Sequence, residues 1–526
     1  MALVHTWSGL LVGWVLFFVF LTGTFGYLNT EITRWMKPEI RSAAALPPAA
    51  ELLPAGQDWL AREARGAQSW YIFFPGGRSG SAFSVGWRTW PDGDARFGAF
   101  RSQTLDPASG RATVGTVRET GGGDTLYRMH YRLHYMPYDL AVAIVGICSM
   151  FMLVAILTGV IVHKKIFRDF FTFRSGKGQR SWLDGHNLLS VTALPFHVMI
   201  TWSGLIFYMF TYIPAAVDSF YPEGEARDRF YTEVLGSERI APGTKGPVAG
   251  MAPLGPMLAL AESRWGQNQT ATIRIESPGR ANAQVLVYSH DTGIRRARQT
   301  LLFDGNSGRL LNEGPKAGTA TGRFEQVMLG LHEGRFAGPV LRALYVFAGL
   351  AGTAMIATGL VLWSSKRKAK PTQDGNRRIG IAAVDILNAG TIIGLPIGIA
   401  VYFWANRLLP VGMDDRAAWE VHAMFIAWGL TYLLAMWRPA SRVWLELCAL
   451  AAAACGLLPV VSALTTDRGL AASIAEGDWG FAGFDLSALG AGLFFVFLFR
   501  LIRRKDRQRA ATHAPMSAEA AKAKAA

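Results

Sequence analysis

The sequence predicts an α-helical integral membrane protein with about eight transmembrane helices and two small α+β domains outside the membrane. It also predicts that a helix–domain–helix unit occurs twice. Three observations lead there. The chain is 51% hydrophobic and 17% charged over 526 residues, with 17 Trp and 31 Phe, a composition too apolar for an ordinary soluble protein. Eight apolar runs reach the roughly 20 residues that a helix needs to cross a bilayer. Two polar stretches of about 110 and 125 residues separate some of these runs and are long enough to fold as domains.

The runs fall near 4–28, 139–162, 186–211, 339–363, 383–405, 417–437, 442–464 and 484–502. The expected organisation is a first span over 1–28, an outside domain over 29–138, a second span over 139–162 and a basic loop over 163–185. A third span (186–211), a second outside domain (212–338), a fourth span (339–363) and a second basic loop (364–382) follow. A C-terminal four-helix region (383–502) and a tail (503–526) complete the chain. Lys and Arg follow the second, fourth, sixth and eighth spans, as in H-K-K-I-F-R-D, S-S-K-R-K-A-K and R-R-K-D-R-Q-R. Short loops rich in Lys and Arg stay in the cytoplasm. All four loops therefore fall on one side, which places both termini in the cytoplasm and both large loops outside. The net charge of +15 thus reflects membrane topology, and nucleic acid is not an expected partner.

Cys148, Cys448 and Cys455 all lie in apolar runs. They offer no disulfide framework, zinc spacing, iron–sulfur spacing or C-x-x-C-H haem attachment. The first run lacks the basic start, short apolar stretch and small-residue site of a cleavable signal peptide. The end of the tail, A-P-M-S-A-E-A-A-K-A-K-A-A, carries no apolar stripe and reads as disordered.

Each outside region has its own α+β pattern. A-E-L-L-P-A-G-Q-D-W-L-A-R-E-A and M-L-A-L-A-E-S-R-W read as short amphipathic helices, S-W-Y-I-F-F and A-Q-V-L-V-Y-S as alternating strands. The turns L-D-P-A-S-G-R (105–111) and F-D-G-N-S-G-R (303–309) correspond at a constant offset of 198, which also carries His134 onto His332. An offset of 181 carries His5 and Gly23 onto His186 and Gly204, and L-T-G-V-I-V-H-K-K resembles A-T-G-L-V-L-W-S-S-K. Asp and Gly supply the turn chemistry of the D-x-x-S-G-R element.

These residues carry a resemblance. H-T-W-S-G-L in the first helix, S-W-L-D-G-H-N-L-L-S-V-T-A-L-P-F-H in the third, L-H-E-G-R-F-A-G before the fourth and the paired turns resemble the PepSY-associated transmembrane (PepSY-TM) family. The resemblance covers about residues 1–365. It implies PepSY-like domains on the periplasmic side of a bacterial cytoplasmic (inner) membrane. Some members are similar to haem-containing reductases of ferric siderophores, which implies a role in iron acquisition.

The histidines fit that chemistry. Seven of the ten cluster at or inside the first four spans. Imidazole is a common axial ligand for haem iron, and helix bundles hold cofactors with side chains on facing helices. Ionisable groups inside a membrane are costly. On a continuous helix His186 and His197 share one stripe at two depths, about 16 Å apart. His134 and His163 would lie about 43 Å apart across a continuous second span, so a scheme using both requires two sites. The expectation is two b haems. His134 and His332 would hold the outer one, and His186 with His163 or His5 the inner one. His197 is an alternative ligand or a neighbour of either iron. His5, His130 and His163 are equally well read as boundary residues, and the repeat counterparts of His130 and His163 are Met328 and Trp363. Arg132, Arg335 and Arg342, with Arg128, are placed to meet haem propionates or simply to anchor helix ends. Pro195 is expected to kink the third span next to His197. His290 is read as a solvated turn residue, His422 has no assigned role, and the last four spans offer no chemistry.

No dinucleotide-binding or phosphate-loop motif is present. Electrons would come from a membrane quinol or a cytoplasmic partner and pass to a ferric siderophore or another ferric chelate outside. A haem-free reading, in which the outside domains bind or restrain a periplasmic partner such as a peptidase, is the alternative. A transporter is a third, weakened by the absence of a mid-membrane acidic residue in the first four spans.

Overall fold

A computed structural model describes the chain apart from residues 1, 41–46, 77–81, 93–97, 114–116, 163–169, 171–173, 175, 177, 223–225, 227–228, 231–232, 235–242, 291–292, 315–318, 369–374 and 526. Side chains of these residues are described apart from those of 216, 375–378, 441 and 509–525. Two compact units interleave along the chain. One comprises Met1–Pro38, Glu119–His197 and Val346–Ala526, the other Glu39–Arg118 and Val198–Tyr345.

The first unit is helical. Its long helices include α1 (Ala2–Gly26) and α5 (Tyr138–Val162), both apolar on nearly every face. The short amphipathic α2 (Asn29–Met36) and α4 (Gly122–Arg132) pack on each other, and α4 packs on α1. The third span breaks. α6 (Gln179–Thr192) and α7 (Leu194–Phe207) meet at 69°. Pro195 has no backbone N–H and its ring crowds the preceding turn, so the ladder stops and restarts where His197 N–H donates to Ala193 O at 2.8 Å. His186 and His197 therefore do not share one straight helical stripe, which corrects the continuous-helix expectation. α10 (Pro339–Lys368) enters this unit at Val346.

The longer helices that follow are α11 (Gly375–Ile392), α12 (Gly394–Leu408), α13 (Arg416–Trp437), α14 (Ala440–Gly456), α15 (Leu458–Thr465) and α16 (Trp479–Ala525). Among the described residues, six helices are long and apolar enough to cross a membrane, or seven if the bent pair is one span. The sixth expected span, 417–437, coincides with α13, which is not among them. Arg416, Glu420 and His422 in its first two turns lower its hydropathy.

The second unit contains one sheet, in the order β3-β2-β1-β4-β5-β6-β7. Its strands are β1 (Ser69–Phe73), β2 (Ser84–Arg88), β3 (Phe100–Thr104) and β4 (Thr270–Glu276). The last three are β5 (Gln284–Ser289), β6 (Thr300–Asp304) and β7 (Leu310–Gly314). Two separate α+β domains are expected from the sequence. Instead β1 pairs antiparallel with β4, Tyr71 opposite Arg274, and joins strands of both regions into one sheet. Alternation along the strands sends Trp70, Ile72, Ile273 and Ile275 to one face, where α3 (Ala49–Glu63) and α8 (Leu254–Trp265) cover them. A single core serves both regions, since Leu52 and Leu60 join Leu258, Val285 and Val287 in it.

The two D-x-x-S-G-R turns have the same bonds. Asp106 N–H donates to Arg111 O (2.8 Å) and Gly110 N–H to Asp106 O (2.8 Å). Asp304 N–H donates to Arg309 O (2.9 Å) and Gly308 N–H to Asp304 O (2.9 Å). Gly110 and Gly308 sit at φ +64° and +75°, the left-handed conformation in which a side chain is strained.

Candidate functional site

In the helical unit, α1, α5, α6, α7 and α10 line a cavity of about 660 Å³ that His5, His186 and His197 all reach. His5 Nδ1 lies 2.9 Å from Ala155 O on α5, and His186 Nδ1 lies 2.9 Å from Met355 O on α10. A carbonyl only accepts, so both imidazoles carry their proton on Nδ1 and the lone pair on Nε2. Each ring rests against a glycine of the helix that holds it. A Cβ at Gly159 would lie 3.2 Å from His5 Cε1, and one at Gly359 would lie 3.2 Å from His186 Cε1. The ring centres of His5 and His186 are 6.3 Å apart.

His5 and His186 would be the residues to hold a metal-centred group here. Metal-bound imidazole nitrogens sit about 2 Å from the metal, which sets the centres of two rings on opposite sides of one ion about 6 Å apart. A ligating imidazole almost always donates its other N–H to a carbonyl or carboxylate. The cavity volume falls within the 300–1,000 Å³ of small-molecule sites. His197 adds a further sign. It is 1% exposed, packs edge-on to Phe20 at 6.3 Å, and lies beside Gly352. The backbone of Ala348 is near it, yet neither ring nitrogen makes a hydrogen bond of ordinary geometry among the described residues. The residues present therefore fit a haem.

The sequence missed several residues of this cavity. Lys366, Arg367, Trp7 and Trp363 line it, with the Arg367 guanidinium 3.6 Å from the Trp363 ring centre. The T-G pairs at 158–159 and 358–359 were legible as a repeated motif, but nothing in the sequence shows that their glycines make room for imidazoles.

The other candidates fall elsewhere. His130, near the end of α4, has Nδ1 3.2 Å from Val19 O, and a Cβ at Gly23 would meet its ring. In the second unit, near the end of α9 (Ala320–Glu333), His332 Nδ1 lies 2.9 Å from Ser203 Oγ, and a Cβ at Gly204 would meet its ring at 3.1 Å. Ser203 Oγ donates to Met199 O at 2.6 Å, so it accepts from His332. Gly23 and Gly204 are the residues matched by the offset of 181. The rings that meet these two glycines are those of His130 and His332, whereas the offset of 198 matches His134 with His332. His134 is exposed instead, stacked on Phe425 at 5.6 Å and beside Tyr135, whose hydroxyl bonds His422. His163 lies outside the described residues.

Arg335 pairs with Glu333 at 3.0 Å, Arg132 lies over the Tyr138 ring at 5.6 Å, and Arg342 is half-buried in the first turn of α10. His290 is 6% exposed, packed against Gly76, which corrects its reading as a solvated residue.

The C-terminal helices carry chemistry that the sequence reading did not see. Arg416 and Glu420 are fully buried and paired. Arg416 also donates to Glu119 O at 2.9 Å, and Thr120 donates to Glu420, so the pair grips the segment leading into α4. Arg407 donates to Trp35 O at 2.6 Å and lies 3.6 Å over the Trp35 ring, whose Nε1 donates to buried Asp485 at 2.9 Å.

Membrane-length helices with a folded sheet inserted among them define a multi-pass membrane protein. The chain belongs to the PepSY-associated TM region family, which matches residues 2–366. It is also 25% identical over 335 residues to an uncharacterized protein of Pseudomonas aeruginosa, a match covering 60% of this chain and 80% of that relative.

Proposed function

We propose that the protein is an electron carrier of the bacterial cytoplasmic membrane that holds b haem and reduces ferric iron, as a siderophore or another ferric chelate, on the periplasmic side. The observation that carries the proposal is the His5–His186 pair, two imidazoles 6.3 Å apart with both Nδ1–H groups held by carbonyls. Haem iron, when bound, supplies one-electron chemistry through its ferric and ferrous states. The chain's contribution is to fix both rings in one tautomer, so that each Nε2 lone pair is ready without reorganisation. Gly159 and Gly359 set how closely each ring approaches its helix. Lys366 and Arg367 supply cations suited to carboxylates.

The duplicated helix–domain–helix unit belongs to the same proposal, as do cytoplasmic termini and a periplasmic sheet unit. The matching presentation of His130 and His332 supports it, as do the identical bonds of the two D-x-x-S-G-R turns. The siderophore rests on family resemblance, and the electron donor is a quinol or a cytoplasmic reductase.

The test is an optical spectrum of the purified protein, oxidised and then reduced, with haem counted per chain. Sharp reduced α and Soret bands that His5→Ala and His186→Ala each abolish or halve are expected. A colourless protein from haem-replete cells would overturn the proposal. Single replacement of His130 and of His332 asks whether each gives an imidazole to a second haem.

A further inference from the structure

Past its apolar stretch, the last membrane-length helix carries a run of arginines that the proposed electron transfer does not use. Arg500, Arg503, Arg504 and Arg507 recur at i, i+3, i+4 and i+7, which places them on one face of α16. That face overlooks a groove of about 670 Å³ between α14 and α16. All four side chains line it, and all four are exposed. Its floor is apolar, formed by Val496 and Phe499 of α16 with Ala449 and Ala452 of α14. The small alanines leave the space, and Arg503 lies 6.0 Å over the Phe499 ring.

Among the described residues none of the four guanidiniums forms an ion pair. Glu446 of α14 is engaged by Arg438 at 3.0 Å, which leaves Asp506 as the one carboxylate in the run. A plain topology signal needs only positive charge near a helix end, scattered around it. Here the charge is gathered on the one face that borders an apolar groove.

We propose that this groove is a binding site for an anionic phospholipid. The phosphate diester would sit on the arginine fork, where planar guanidiniums give bidentate bonds to phosphate oxygens. The first methylenes of an acyl chain would lie on the floor of Val496, Phe499 and the two alanines. Basic pockets between transmembrane helices take such headgroups. The apolar floor is what favours a lipid over a soluble phosphate, which would gain nothing from it.

The experiment uses the full-length protein in a neutral detergent. Binding of dimyristoyl phosphatidylglycerol and of dimyristoyl phosphatidylcholine is compared by native mass spectrometry. Phosphatidylglycerol should bind at least about tenfold more tightly, and each Arg→Gln replacement should weaken it about fivefold. The Arg500→Gln/Arg503→Gln/Arg504→Gln/Arg507→Gln variant should lose the preference, while the corresponding Arg→Lys variant should keep a reduced one and so report on folding. Equal binding of the two lipids by the natural protein, or an unchanged preference in the Gln variant, would overturn the site. Displacement of phosphatidylglycerol by millimolar inorganic phosphate would also overturn it, in favour of a soluble anion.

Discussion

Gly359→Ala offers a sharp test because it adds one methyl group and removes nothing. The new Cβ would stand 3.2 Å from Cε1 and 3.3 Å from Nδ1 of His186. Carbon contacts are most favourable at about 3.5–4.0 Å, so the ring must retreat by about 0.3–0.5 Å. That movement loosens the 2.9 Å bond from Nδ1 to Met355 O. Losing a partner of this kind weakens metal binding about 10- to 100-fold. The same substitution favours the helix, because alanine in a helix interior is about 1 kcal/mol better than glycine. Haem content and thermal stability of the haem-free chain should therefore move in opposite directions. The assay is haem per chain with the reduced spectrum, beside the unfolding midpoint of protein from haem-starved cells. Gly159→Ala should do the same through His5, whose Cε1 lies 3.2 Å from the built Cβ. Gly429→Ala, with nothing within 4 Å, should raise stability and leave the spectrum alone. Full haem occupancy and an unshifted spectrum in Gly359→Ala would refute the assignment of these glycines.

Other outcomes follow from the same geometry. His130→Ala should change the haem spectrum or count more than His134→Ala, because His130 is the residue held against Gly23; the reverse order would favour the pairing read from the offset of 198. Gly308→Ala should destabilise the sheet unit by about 1–2 kcal/mol through its φ of +75° alone, since the built Cβ meets Ala252 and Met257 at ordinary distances of 3.5 and 3.6 Å. Thermal unfolding measures it. Glu420→Ala should lower stability by about 3–5 kcal/mol by leaving Arg416 charged and buried without its carboxylate; a change within error on thermal unfolding in detergent would show that the pair is not load-carrying. Bonds from Ser307 hold the Asp304 carboxyl below its ordinary value. Their stabilisation is therefore complete above the unfolded value, about pH 3.9, and disappears as pH falls through the lower folded value. Protection of the Asn306 and Ser307 amides, taken relative to intrinsic exchange at each pH, should fall at the acid end, and Asp304→Asn should flatten that dependence.

Hydropathy and charge determined the membrane class from sequence alone, because lipid forces long apolar helices whatever their neighbours do. The kink at Pro195 was equally legible, since a missing backbone donor acts locally. So were the two D-x-x-S-G-R turns, whose Asp and Gly act within a few residues of each other. The histidines were legible as a set, because an imidazole in an apolar run is conspicuous. Their grouping was not. A sequence offset compares positions along the chain, whereas His130 is defined by a glycine about a hundred residues earlier on another helix. Only tertiary packing brings His5 and His186 to 6.3 Å and sets a glycine against each ring. The union of two polar regions into one sheet was hidden for the same reason, since β1 and β4 pair across about 200 residues. Burial of Arg416 with Glu420 was hidden as well, because the pair is completed by Glu119 and Thr120, about 300 positions away. Composition chose the solvent, and long-range packing chose which polar groups would meet inside it.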